Sequence, residues 1–74
     1  MVTNVTDPRE TLGLAIRKRR LALGMTQEEL AEKADLHWTY ISGIERGVRN
    51  VTIANLFHIA TALGVRVRDL VKDL

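Results

Sequence analysis

The sequence predicts an all-α fold, five short helices around one core, and three observations carry that reading. Apolar residues recur at three- and four-residue spacings in successive stretches of the chain. Helix-start residues precede these stretches, and Gly24, Asp35, Gly47 and Gly64 follow them. No stretch keeps the strict alternation of a half-buried strand, and there is no internal repeat or low-complexity segment. At 74 residues the chain reads as one domain over 1–74, with a core of modest stability.

Residues 1–6 are polar and expected to be loose. Asp7-Pro8 suits a helix start, with Asp as cap and Pro in the first turn. Leu12, Ala15, Ile16, Arg19 and Leu23 then keep helical spacing, the tract Arg17–Arg20 is placed on the surface, and Gly24 stops the helix. Met25 can staple the entry to a second helix, about Gln27–Ala34. Thr26 and Glu29 there make a capping box, in which hydroxyl and carboxylate each cover a free backbone amide.

Leu30 and Ala34 share a face of that helix, and Ala31 is small enough for a close helix approach. Asp35-Leu36 makes a tight turn, because Asp tolerates the left-handed backbone better than most residues. A third helix, about Trp38–Arg46 with His37 near its cap, buries Ile41 and Ile44 and turns Thr39, Tyr40 and Ser42 elsewhere. Residues 26–46 are thus a helix-turn-helix, whose second helix can offer polar and aromatic groups to a DNA major groove.

After the loop Val48–Val51, Thr52 caps a fourth helix, about Ile53–Leu63, with Leu56, Ile59, Ala60 and Leu63 inward. Gly64 ends it, Val65 packs inward, and a short fifth helix runs from Arg66 or Val67 to near Leu74 with Leu70 inward.

Composition narrows the function. There is no cysteine, hence no disulfide framework or thiolate metal site. No apolar run approaches the roughly 20 residues of a membrane span. The start MVTNVTDPRE lacks a basic segment followed by an apolar one, so a cytoplasmic protein is expected. His37 and His58 have no ligand-like neighbours in sequence, Ser42 has no base at a recognisable spacing, and Gly43 and Gly47 do not form a phosphate-cradling loop. No metal, cofactor or enzymatic activity is expected.

The net charge is only +2, yet residues 1–25 and 46–74 are basic and residues 26–45 acidic. A two-sided fold could gather Arg17, Arg20, Arg46 and Arg49 around the third helix, the sign that phosphate binding wants. A plain solvated surface of mixed charge is the competing reading.

The motifs M-T-Q-E-E-L-A at 25–31, Y-I-S-G-I-E-R-G at 40–47 and N-L-F-H-I-A-T-A-L-G-V at 55–65 resemble the Cro/C1-type, lambda-repressor-like helix-turn-helix family. The resemblance runs from about Leu12 to Leu70. Within the family, T-Y-I-S-G-I-E-R-G-V-R-N at 39–50 is similar to the controller proteins of bacterial restriction–modification systems, as is the short chain without an effector domain. The resemblance implies a homodimeric transcription regulator that binds a near-palindromic double-stranded DNA operator, in the bacterial cytoplasm and on the nucleoid. Two positions depart from the pattern. Asp35 stands where Gly is common, and Trp38 stands where these controllers usually carry Arg. A guanidinium fork can read guanine and an indole cannot, so the departure implies altered or weakened base readout.

On that footing Gln27 is expected to hold a phosphate at the start of the second helix. Trp38, Thr39, Tyr40 and Ser42 are expected at the groove, Thr39 and Ser42 against base edges or thymine methyls and Tyr40 at phosphate or packed on the second helix. Arg46, Arg49 and Asn50 are expected to grip phosphate or a base. Arg17 and Arg20 are weaker candidates. The acidic face Glu28, Glu29 and Glu32 is explained by capping and the helix dipole, or by contact with RNA polymerase. Phe57, Val67, Val71 and Leu74 are apolar residues left over on the helices within 53–74, and are expected to form a two-fold dimer contact. The reading from another class is an antitoxin-like or protein-interaction helical module.

Overall fold

The computed structural model describes residues 7–74, so the expected looseness of residues 1–6 lies outside the described residues. Five helices follow one another: α1 Pro8–Ala22, α2 Gln27–Ala34, α3 Trp38–Glu45, α4 Ile53–Leu63 and α5 Val67–Val71. Among the described residues there is no strand.

Each start is chemically specified. The Asp7 carboxylate accepts the Arg9 N–H at 2.9 Å and also pairs with the Arg9 guanidinium, whose hydrogen bond holds the Asp7 carboxyl below its ordinary pKa. Thr26 and Glu29 form both arms of the capping box, at 3.0 and 2.8 Å. Thr52 accepts the Asn55 N–H at 3.1 Å. At α5 the Asp69 carboxylate reaches back to the Arg66 N–H at 3.0 Å. Asp35 is left-handed, with φ 57° and ψ 45°, and so turns α2 into α3 as expected of it.

α2 packs on α3 and α4, α3 lies across α1, and α5 closes on α1 and α4. The core is made of Leu12 and Ile16 from α1, Leu30, Ala31 and Ala34 from α2, Ile41 and Ile44 from α3, the inward face of α4, and Leu70. Gly13 sits where α1 crosses α3. A Cβ there would run into the backbone carbonyl oxygens of Ile44 and Glu45, so only glycine allows the crossing.

Four expectations are corrected. Leu23 does not continue the first helix: α1 ends at Ala22, Leu23 becomes the cap residue, and its side chain is exposed. α5 ends at Val71, short of Leu74. α3 ends at Glu45, with Arg46 as its cap. The basic tract Arg17–Arg20 is only partly a surface feature. Arg19 is half-buried and its Nε donates to the Leu63 carbonyl at 3.2 Å, while Arg20 is only 7% exposed.

Candidate nucleic-acid interface

The C-terminal end of α3 is fixed by a buried ion pair. Arg20 follows Ile16 by four residues and Glu45 follows Ile41 by four, so each charge lies on the buried face of its helix. Arg20 Nε donates to Glu45 Oε2 at 2.6 Å and Nη2 to Oε1 at 2.9 Å, a two-bond fork that matches guanidinium to carboxylate. Arg20 Nη1 donates to the Met25 carbonyl at 2.8 Å. The carboxylate hydrogen bond raises the Arg20 pKa above its ordinary value. Arg20 therefore joins α1, α3 and the turn before α2, and is not available to DNA as the sequence reading had placed it.

Glu45 also accepts the Gln27 Nε2 at 3.1 Å, so Gln27 is half-buried rather than free on the first turn of α2. Its amide oxygen and second N–H are left for other partners. The sequence reading missed Glu45, although its spacing from Ile41 was visible.

At the other end of α3, His37 is the cap. Its Nδ1 accepts the Thr39 N–H at 3.1 Å and lies 2.7 Å from the Thr39 hydroxyl. Thr39 is exposed, but its hydroxyl is thus already engaged. The His37 and Trp38 rings stack with centroids 6.1 Å apart at 28°. Trp38 is 47% exposed, on the first turn of the helix.

Tyr40 is half-buried against the core and does not stand free. Its hydroxyl donates to the Asn50 carbonyl at 3.3 Å and accepts from Asn55 Nδ2 at 3.2 Å, so the loop after α3 is tied to the helix. Asn55 is a second residue the sequence did not single out. Arg49 is folded back onto α3: its aliphatic stem covers Gly43, where a Cβ would strike Arg49 Cγ, and its guanidinium carbon lies 5.6 Å from the Tyr40 ring centre. Ser42 is half-buried, whereas Arg46, Asn50 and Arg17 are exposed.

Among the described residues the only salt bridges are Arg9–Asp7 and Arg20–Glu45, which leaves Arg17, Arg46 and Arg49 without a carboxylate partner. Among the described residues no group of three or more His, Asp or Glu converges as a metal site would, and no helix there is long and apolar enough to cross a membrane.

Of the residues assigned to a dimer contact, Phe57 and Leu74 are each 57% exposed, but Val67 and Val71 are half-buried against the core. Ile53, one turn before Phe57 on α4, is 72% exposed and was not singled out.

A capped helix, a left-handed turn and a second helix with its polar first turns facing solvent define a DNA-binding helix-turn-helix protein. The chain belongs to the helix-turn-helix family of transcriptional regulators, which matches residues 16–70. It is 52% identical over 59 residues to the control protein C.BamHI of Bacillus amyloliquefaciens, covering 78% of this chain and 73% of that one. It is 42% identical over 64 residues to the control protein C.SmaI of Serratia marcescens, covering 86% and 76%. The crystal structure of the restriction–modification controller protein C.AhdI from Aeromonas hydrophila superposes with a TM-score of 0.83 at 40% identity, over 84% of this chain and 94% of that one.

Proposed function

We propose that this regulator works as the controller of a restriction–modification system, binding a near-palindromic operator as a homodimer. It acts by binding, not catalysis, in the bacterial cytoplasm on nucleoid DNA. The observation that carries the reading is the pair of cations without a carboxylate partner, Arg46 and Arg49, at the end of a helix whose Thr39 and Ser42 reach solvent. Phosphates are the natural partners for such cations, and the first turns of α3 supply groups for base edges. Gln27 and Asn50 add polar contacts to phosphate, Trp38 and Tyr40 flank the reading residues, and Arg17 is an outlying contact.

Ile53, Phe57 and Leu74, with the exposed parts of Val67 and Val71, form the two-fold contact. Half-sites then fall about one helical turn, roughly 34 Å, apart. Glu28 and Glu32 are the exposed acids of α2 that can meet RNA polymerase, since the Glu29 carboxylate is held by the Thr26 amide.

Selection from a random duplex pool, followed by titration across salt, tests the reading. A favoured two-fold word and a steep fall of affinity with salt are expected. No favoured word, with flat salt dependence, favours a protein-interaction module instead. Light scattering of Phe57→Lys against the parent chain tests the dimer: loss of a dimeric mass in the variant supports the contact, and a monomeric parent at high micromolar concentration refutes it.

A further inference from the structure

The exposed aromatic pair at the start of α3 has a chemistry that the phosphate and polar contacts do not use. Trp38 is the largest side chain of the chain, yet it is 47% exposed, and it stands at the first helical position of α3. It is not loosely held. One ring stacks on His37, and His37 is itself pinned by Thr39 through its amide and hydroxyl. A restrained apolar surface is thus carried at the leading edge of the helix that α2 and the core hold outward.

The Thr39 hydroxyl beside it is already engaged, 2.7 Å from His37 Nδ1. An indole has one N–H, no charge and no acceptor, so it makes no bidentate contact with any base edge. Among the groups that the major groove presents, the only apolar one is the methyl on C5 of a pyrimidine.

We infer that Trp38, stiffened by His37, reads a pyrimidine C5 methyl group in the major groove. The inference rests on the operator-binding reading above and deepens it. Thymine supplies that methyl in ordinary DNA, and 5-methylcytosine presents the same group at the same position.

The test begins from the duplex word selected from a random pool. Each thymine of that word is replaced singly by uracil, which removes the methyl and nothing else. At one thymine in each half-site, affinity of the parent chain should fall about fourfold per methyl, which is ~0.8 kcal/mol at 1.4 kcal/mol per tenfold. Trp38→Ala should bind the thymine and uracil duplexes equally at that position. If Trp38→Ala binds too weakly to titrate, Trp38→Arg takes its place and should likewise lose the preference.

Placing cytosine or 5-methylcytosine at the sensitive position separates the two sources. Recovery with 5-methylcytosine means that the methyl is read wherever it occurs, and no recovery restricts the reading to thymine. Indifference of the parent chain to every thymine-to-uracil change, with a favoured word in hand, overturns the methyl reading alone. A sensitivity that survives unchanged in both Trp38 variants also overturns it. Absence of any favoured word overturns the operator-binding reading and this one with it.

Discussion

Glu45, at the C-terminal end of α3, is 6% exposed and shared between Arg20 and Gln27, whereas Trp38, at the N-terminal end of the same helix, is 47% exposed. One end is charged and buried; the other is aromatic and open. This inverts the usual sorting of side chains, in which charge goes out and apolar surface goes in. The buried charges make the end of α3 depend on α1 and on the turn before α2, so they fix where the helix points. The open aromatic end does little for the fold and is available to a ligand. Orientation and recognition are thus handled by opposite ends of an eight-residue helix.

Removing Glu45 should break the comparison most sharply. Glu45→Ala leaves the Arg20 guanidinium in a pocket with no countercharge and releases Gln27. The expected loss is ~3–5 kcal/mol, enough to unfold much of a small domain, measured by urea denaturation. The double change Arg20→Met with Glu45→Leu should recover most of that loss, because no uncompensated charge remains. A loss below ~1 kcal/mol for Glu45→Ala would mean that the pair does not hold α3.

Gly13→Ala comes next, and its sign is the informative part. Ala is favoured over Gly within a helix by ~1 kcal/mol, so an unobstructed site would be stabilised. Here the new Cβ meets the Ile44 and Glu45 carbonyls, which are backbone and cannot swing aside. The expected outcome is a destabilisation of ~1–3 kcal/mol, seen as a lower thermal midpoint.

The helices and most of the core were legible in the sequence because capping and spacing act locally. Thr26 with Glu29, Asp35, Thr52 and Gly64 mark boundaries through their own backbones, and residues such as Ile16, Leu30 and Ile59 declare their faces by periodicity. Long-range pairing is where the reading failed. Arg20 sits inside a run of four basic residues, which reads as surface, although Ile16 four positions earlier marks its face as inward. Its partner is 25 residues away, and no local rule announces that distance. Leu23 failed for the reverse reason, since periodicity kept counting after the helix had stopped. The candidate contact residues follow from local pattern and resemblance, whereas the engagement of Tyr40 with Asn50 and Asn55 and of Gln27 with Glu45 depends on tertiary approach.

His37→Ala addresses the open end and should cost less. It removes the cap acceptor of the Thr39 amide and the ring under Trp38. A loss of ~1 kcal/mol is expected, typical of a helix cap. The same change should loosen Trp38, so steady-state fluorescence anisotropy of this lone tryptophan should fall.

The smallest expected effect on stability belongs to the largest side chain. Trp38→Ala removes an indole that is not part of the buried core, and Ala is the better helix former at that position. The lost stacking on His37 is offset in part by that propensity, so the net change should stay within ~0.5 kcal/mol by urea denaturation. DNA recognition should nonetheless change, because the apolar leading edge of α3 disappears. A variant that keeps its folding free energy and alters its preferred duplex would place Trp38 wholly on the side of recognition. A loss as large as that of Glu45→Ala would instead make the two ends of α3 alike, and the division of labour between them would be wrong.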